Sequence, residues 1–259
     1  MDAETLFSRT LGRFMTNWAY IMSLRQFSEV AVPLAAEALV PMHEAAVEAI
    51  ASDADYSKVI VNMDGSPSSW NTELKRLMSA GMTNTTIQNS RVAIDAASLV
   101  FAQSMLDDAA MAYCRVCAMI APDDWNGTLD MRKIDYATLR TTSTTQIRDE
   151  LLASALKQLE RESLMKKVDT LHLLCKPPEG FAPIGNYAYK RERLEEIDNR
   201  RHRIIHSDGL KAPLTDVDSD LEYILKTSNY LMGLVNQRYQ LKIHPYKVFE
   251  GPAPVEPVA

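Results

Sequence analysis

Thr86-Ile-Gln-Asn-Ser-Arg-Val-Ala-Ile-Asp-Ala-Ala-Ser-Leu-Val-Phe-Ala-Gln-Ser-Met-Leu-Asp-Asp-Ala-Ala-Met-Ala-Tyr-Cys-Arg-Val-Cys-Ala-Met-Ile120 is the longest apolar run of the chain. Ile87, Val92, Ile94, Leu99, Val100, Met105, Leu106, Met111, Val116 and Met119 carry it, and the run stops at Ala121-Pro-Asp-Asp, as a proline predicts. The same helical periodicity extends outward in both directions. Leu6, Phe7, Leu11, Phe14, Met15, Trp18, Ile21 and Met22 recur at three- and four-residue spacings. Pro33 is read as the opening of a second, alanine-rich helix that reaches Ile50, and a short helix is expected from Trp70 to Met82. Between them Tyr56-Ser-Lys-Val-Ile-Val fits either a short strand or a helical turn, and Asp64-Gly-Ser-Pro-Ser-Ser is a loop.

Downstream, the polar connection 121–143 ends in Thr141-Thr-Ser-Thr-Thr, which offers several N-caps. One long stripe from Ile147 to Leu174 predicts a helix that ends at Lys176-Pro-Pro-Glu-Gly. A further helix is expected from Tyr187 to His206, with Gly209 as its stop, and a last one from Asp216 to Lys242. The chain therefore reads as all-α, an antiparallel helical bundle. Its expected division is an N-terminal helical extension over 1–62, a bundle over 63–249 and a proline-rich, disordered tail over 250–259.

Composition bounds the function classes. The 259 residues are 46% hydrophobic and 24% charged, which suits a globular protein with a sizeable core. Nine glycines are too few for a turn-rich all-β fold. A net charge of −6 argues against a protein that coats nucleic acid over its whole surface. Three cysteines, Cys114, Cys117 and Cys175, do not make a disulfide framework and fit a reducing compartment. Cys114 and Cys117 have the spacing of one half of a zinc knuckle, and without a second such pair they read as core. The acidic start and the lack of a long apolar stretch predict a cytoplasmic protein with no signal peptide and no membrane span. Neither phosphate-loop nor dinucleotide glycine motifs are present, and no cofactor is expected.

One segment departs from this background: Leu194-Glu-Glu-Ile-Asp-Asn-Arg-Arg-His-Arg-Ile-Ile-His-Ser-Asp-Gly209. The window 187–206 holds six Lys/Arg (190, 191, 193, 200, 201, 203) against four acids (192, 195, 196, 198), locally basic in an acidic chain. On a helix His202 and His206 share a face, and Arg201 adjoins His202. Leu194, Ile197, Ile204 and Ile205 anchor that helix. His206 falls in the last turn, where the negative end of the helix dipole favours a cationic ring. An arginine grips a phosphate bidentately and a histidine moves a proton near neutral pH. Together they meet the minimal needs of phosphodiester cleavage by a ribose 2′-hydroxyl, with no metal.

Arg201-His202-x-x-x-His206 resembles the R-(N/H/D)-x-x-x-H form of the R-x(4–6)-H motif of the HEPN superfamily. Leu164-Met-Lys-Lys-Val-Asp-Thr-Leu-His-Leu-Leu is similar to the helix that often precedes the motif helix in bacterial members. Leu99-Val-Phe-Ala-Gln-Ser-Met-Leu-Asp-Asp resembles their long core helix, with Asp107 or Asp108 where an acid often sits. The resemblance spans residues 86–242. It implies a helical bundle that dimerises with two motif helices face to face, and a metal-independent endoribonuclease of defence or toxin–antitoxin systems. It further implies RNA as substrate, a homodimeric composite site, and restraint by an antitoxin or other regulatory protein. On that reading Arg201 binds the scissile phosphate, His206 is the general acid or base, and His202 orients it or contacts the RNA. Arg200 and Arg203 then contact RNA. Because the family also includes members that bind nucleotides or proteins without cutting, a non-catalytic RNA-binding or partner-regulating module is the alternative.

The residues allow plainer readings too. The arginines fit a solvated face paired with Glu195, Glu196 and Asp198. His202 and His206 at i,i+4 also suit zinc, but position 203 is arginine where the H-E-x-x-H pattern has glutamate, and a guanidinium disfavours a cation there. His43 and His172 read as packing or surface residues, His244 as a helix-end or loop residue.

Overall fold

The computed structural model describes residues 1–53, 72–126, 141–183, 187–206 and 214–243, and among them the regular structure is helical throughout. The helices are α1 (Ala3–Ala38), α2 (Val40–Ser52), α3 (Thr72–Ile120), α4 (Thr144–Glu160), α5 (Leu164–Cys175), α6 (Arg191–His206) and α7 (Val217–Tyr239), with a 3₁₀ turn at Pro122–Trp125. The expected loop at 64–69, Gly209, His244 and the tail 250–259 lie outside the described residues.

Three boundaries differ from the sequence reading, each for a local reason. Helix α1 runs through Pro33 instead of starting anew there. The break comes at Leu39, whose N–H donates to the Ala36 carbonyl at 3.0 Å, and the proline that opens α2 is Pro41, in the first turn where a missing N–H costs nothing. The short helix expected at 70–82 and the long run from Thr86 are one 49-residue helix. Across the polar join Thr83, Thr85 and Thr86 satisfy their hydroxyls within the helix, donating to the carbonyls of Ser79, Gly81 and Met82. The single stripe 147–174 is two helices. Ser163 accepts from the Lys166 N–H at 3.3 Å and so starts α5 as an N-cap, in the way that Ser143 caps α4 on Gln146.

Helix α5 ends as expected, with Lys176 in the left-handed region (φ 47°) before Pro177 and Pro178. Helix α6 begins at Arg191 and not at Tyr187. The Tyr223 hydroxyl holds Lys190 out of the helix, accepting from its N–H at 2.8 Å and donating to its carbonyl at 2.6 Å.

The residues group into two compact units. The first unit holds the described residues of Met1–Ile21, Leu99–Ser207 and Thr215–Ala259. Its core joins Phe7 and Tyr113, rings 5.5 Å apart, to Leu99, Leu106, Val168, Leu171, Leu194, Ile197, Ile224 and Leu231, all buried. Cys114, Cys117 and Cys175 are buried there as free thiols. Burial pushes the Cys114 thiol up, and hydrogen bonding with Cys175 followed by burial does the same for Cys117, so these are inert packing groups.

The second unit comprises the described residues of Met22–Ser98 and Leu214. There α1 and α2 lie on α3 through Arg25–Asp95 (2.9 Å), Glu29–Arg91 (3.3 Å), Glu48–Lys75 (2.6 Å) and His43 Nδ1 to the Thr83 hydroxyl (2.9 Å). Its buried positions are mostly small or polar: Ser28, Ala36, His43, Val47, Ser79, Ala96 and Ser98. No single described helix is long and apolar enough to cross a membrane, although α1 and α2 together, bent by 43°, reach that length and composition.

Candidate functional site

Helix α6 forms because Leu194 and Ile197, fully buried on its inner face, anchor an otherwise charged sequence, and Glu192 sits favourably in its first turn. That anchoring sets which basic residues face inward. Arg200 lies on the inner side: its Nη1 donates to the Thr215 carbonyl at 2.7 Å and to Asp220 Oδ2. Arg193 takes the other oxygen of the same carboxylate. Asp220 is fully buried in the first turn of α7. Burial pushes its carboxyl up, and the two guanidiniums pull it back. Arg200 thereby clasps α6 to α7.

Arg201 is differently placed. Its Nη1 stands 3.7 Å from Asp198 Oδ1, an ion pair too long to be a hydrogen bond, and its Nε is buried without a partner. Asp198 is itself held by Gln103 of α3, whose Nε2 donates to the same oxygen at 2.6 Å. Gln103 is almost wholly buried, and its other amide atom, Oε1, has no partner. Arg201 thus rests on a two-step support, while much of its hydrogen-bonding fork stays unused.

His202, Arg203, Ile205 and His206 are exposed along the last turns of α6. The rings of His202 and His206 meet, centroids 4.3 Å apart and tilted by 50°. The structure therefore brings the two histidines together on one open face, with Arg201 on the adjoining flank. Beside the first half of α6 runs a groove of about 1000 Å³, lined by Tyr187, Lys190, Arg193, Glu196, Tyr223 and Lys226.

Other candidates are placed elsewhere. Asp107 pairs with the buried Lys167 at 2.6 Å, so it serves the α3–α5 contact. His43 is buried against Thr83. The ring of His172 packs edge-on to Tyr189 and Tyr230, and its Nε2 lies 3.0 Å from the Tyr230 hydroxyl. Among the described residues no group of three or more His, Cys, Asp or Glu side chains gathers as a metal site would require. Sequence reasoning missed Gln103 and Asp220. Neither has a local signal, since each acts on α6 across 95 and 20 residues of chain respectively.

No family model, no curated protein and no solved structure matches this chain.

Proposed function

We propose that the chain is a metal-independent endoribonuclease of HEPN type, acting as a homodimer in a bacterial defence or toxin–antitoxin-like role. The observation that carries this reading is the exposed His202–His206 pair at the C-terminal end of α6, flanked by an Arg201 whose fork is only loosely engaged. A free fork suits a phosphate, and two adjacent imidazoles suit proton transfer at near-neutral pH.

In the proposed reaction Arg201 binds the non-bridging oxygens of the scissile phosphate. A histidine accepts the proton of the ribose 2′-hydroxyl as its oxygen attacks phosphorus. A protonated histidine delivers a proton to the departing 5′-oxygen. The products are a 2′,3′-cyclic phosphate and a 5′-hydroxyl, so no water and no metal enters the bond-breaking step. Two motif helices meeting across a two-fold axis supply both proton-transfer groups at once.

The test is cleavage of single-stranded and structured RNA by the purified chain in EDTA. We expect cleavage, with cyclic-phosphate ends. Arg201→Ala with His206→Ala should abolish it while the helical circular-dichroism spectrum stays intact. Activity lost in EDTA and restored by zinc overturns the mechanism. RNA bound but never cut leaves the binding module in its place.

A further inference from the structure

Between Met22 and Ala38 helix α1 has two unlike faces. Ser28 and Ala36 are buried, and Arg25 and Glu29 on that side pair with Asp95 and Arg91 of α3. The other side exposes Leu24 (53%), Phe27 (69%), Val30 (63%) and Leu34 (60%). These side chains and the half-buried Ala31 form one continuous apolar strip along the helix.

The spacing of the strip says what covers it. Leu24, Phe27, Ala31 and Leu34 are three, four and three residues apart, the a/d rhythm of a coiled-coil seam. That rhythm is symmetric about residue 29. Laid antiparallel against its own copy, the seam sets Leu24 opposite Leu34 and Phe27 opposite Ala31 of the second copy. Each bulky ring then meets a small methyl, and the layers fill evenly. Val30, on the flank beside the two-fold axis, meets its own counterpart. A parallel pairing sets Phe27 on Phe27 and Ala31 on Ala31, which leaves one layer overfull and the next hollow.

Charge points the same way. The strip carries no Lys or Arg that would draw it to an anionic lipid surface. The ionic side chains of this part of α1 are tied to α3, and a bilayer would strip them of water.

We infer that this face of α1 is an isologous interface, pairing antiparallel with α1 of a second copy of the chain. The inference does not rest on the ribonuclease reading.

Sedimentation of the full chain at tens of micromolar tests it. The wild type should run as a dimer or larger, and Phe27→Glu should bring the mass to half or less with helicity unchanged. Register is read by disulfide trapping with a mild thiol oxidant, the native thiols being buried. Leu24→Cys and Leu34→Cys chains should cross-link when mixed and not when oxidised separately. A monomeric wild type overturns the inference, as does a mass that Phe27→Glu leaves unchanged. Cross-linking of either cysteine variant alone overturns the antiparallel register. A monomer that floats with anionic vesicles assigns the face to lipid instead. RNA cleavage, scored separately, decides only the catalytic reading.

Discussion

At the scale of single residues, neighbours in sequence have opposite fates. Arg200 and Arg201 differ by one position, yet Arg200 is locked on Asp220 and Arg201 is left with a long contact to Asp198. Two further basic side chains show the same dependence on surroundings. Lys167 is buried and needs Asp107; His172 is half-buried among tyrosines and lies within hydrogen-bonding distance of Tyr230. Burial lowers the pKa of His172, outweighing the nearby Asp169. The unfolded chain therefore takes up this proton before the folded one does. Stability is fully present above the ordinary histidine value near about 6.5 and falls as pH drops below it. We expect the urea midpoint to decline between about pH 7.5 and about pH 5.5, on either side of that value. In His172→Asn the decline should be smaller. Equal slopes in the two proteins would show that His172 does not contribute.

At the scale of helices, the two described glycines that lie within helices, Gly81 and Gly233, make opposite demands. Gly81 lies in the interior of α3 with nothing near the place a Cβ would occupy. Gly81→Ala should stabilise by about 0.5–1 kcal/mol, the ordinary helix-propensity gain. Gly233 of α7 faces Pro183, and a Cβ there would lie 2.5 Å from the proline Cβ. That ring cannot swing aside. Gly233→Ala should destabilise by about 1–3 kcal/mol despite alanine being the better helix former. Chemical denaturation of both variants checks the sign difference. The caps argue at this scale as well: Ser163 splits what periodicity alone reads as a single helix.

At the scale of the whole molecule, the acidic total conceals a basic helix, and the fold divides that basicity. Arg193 and Arg200 share the buried Asp220, with Glu196 as a second partner of Arg193, whereas Arg201 near the end of α6 keeps only the long contact to Asp198. A confined cationic spot suits one phosphodiester better than an extended nucleic-acid surface. Assembly belongs to this scale too. If α1 pairs with its copy, folding is linked to association, and the melting midpoint should rise with protein concentration. Phe27→Glu should weaken that dependence by the share that the α1 contact supplies. A wild-type midpoint that stays constant with concentration would contradict the coupling.

The all-helical class, the C-terminal ends of α3 and α5, an N-cap within 141–145 and the burial of Cys114 and Cys117 were legible in the chain. All depend on short-range rules: periodicity, a hydroxyl three residues before an N–H, a proline that cannot donate. The Arg201-His202-x-x-x-His206 pattern was legible for the same reason, because one helix alone puts the two histidines side by side. What the tertiary structure decided is which arginine stays available, what supports it, and which face of α1 remains uncovered. Those outcomes turn on Gln103 reaching Asp198 and on a buried Asp220 claiming two guanidiniums. A helix presents every side chain to some direction, and only the packing of other helices against it determines which directions are closed.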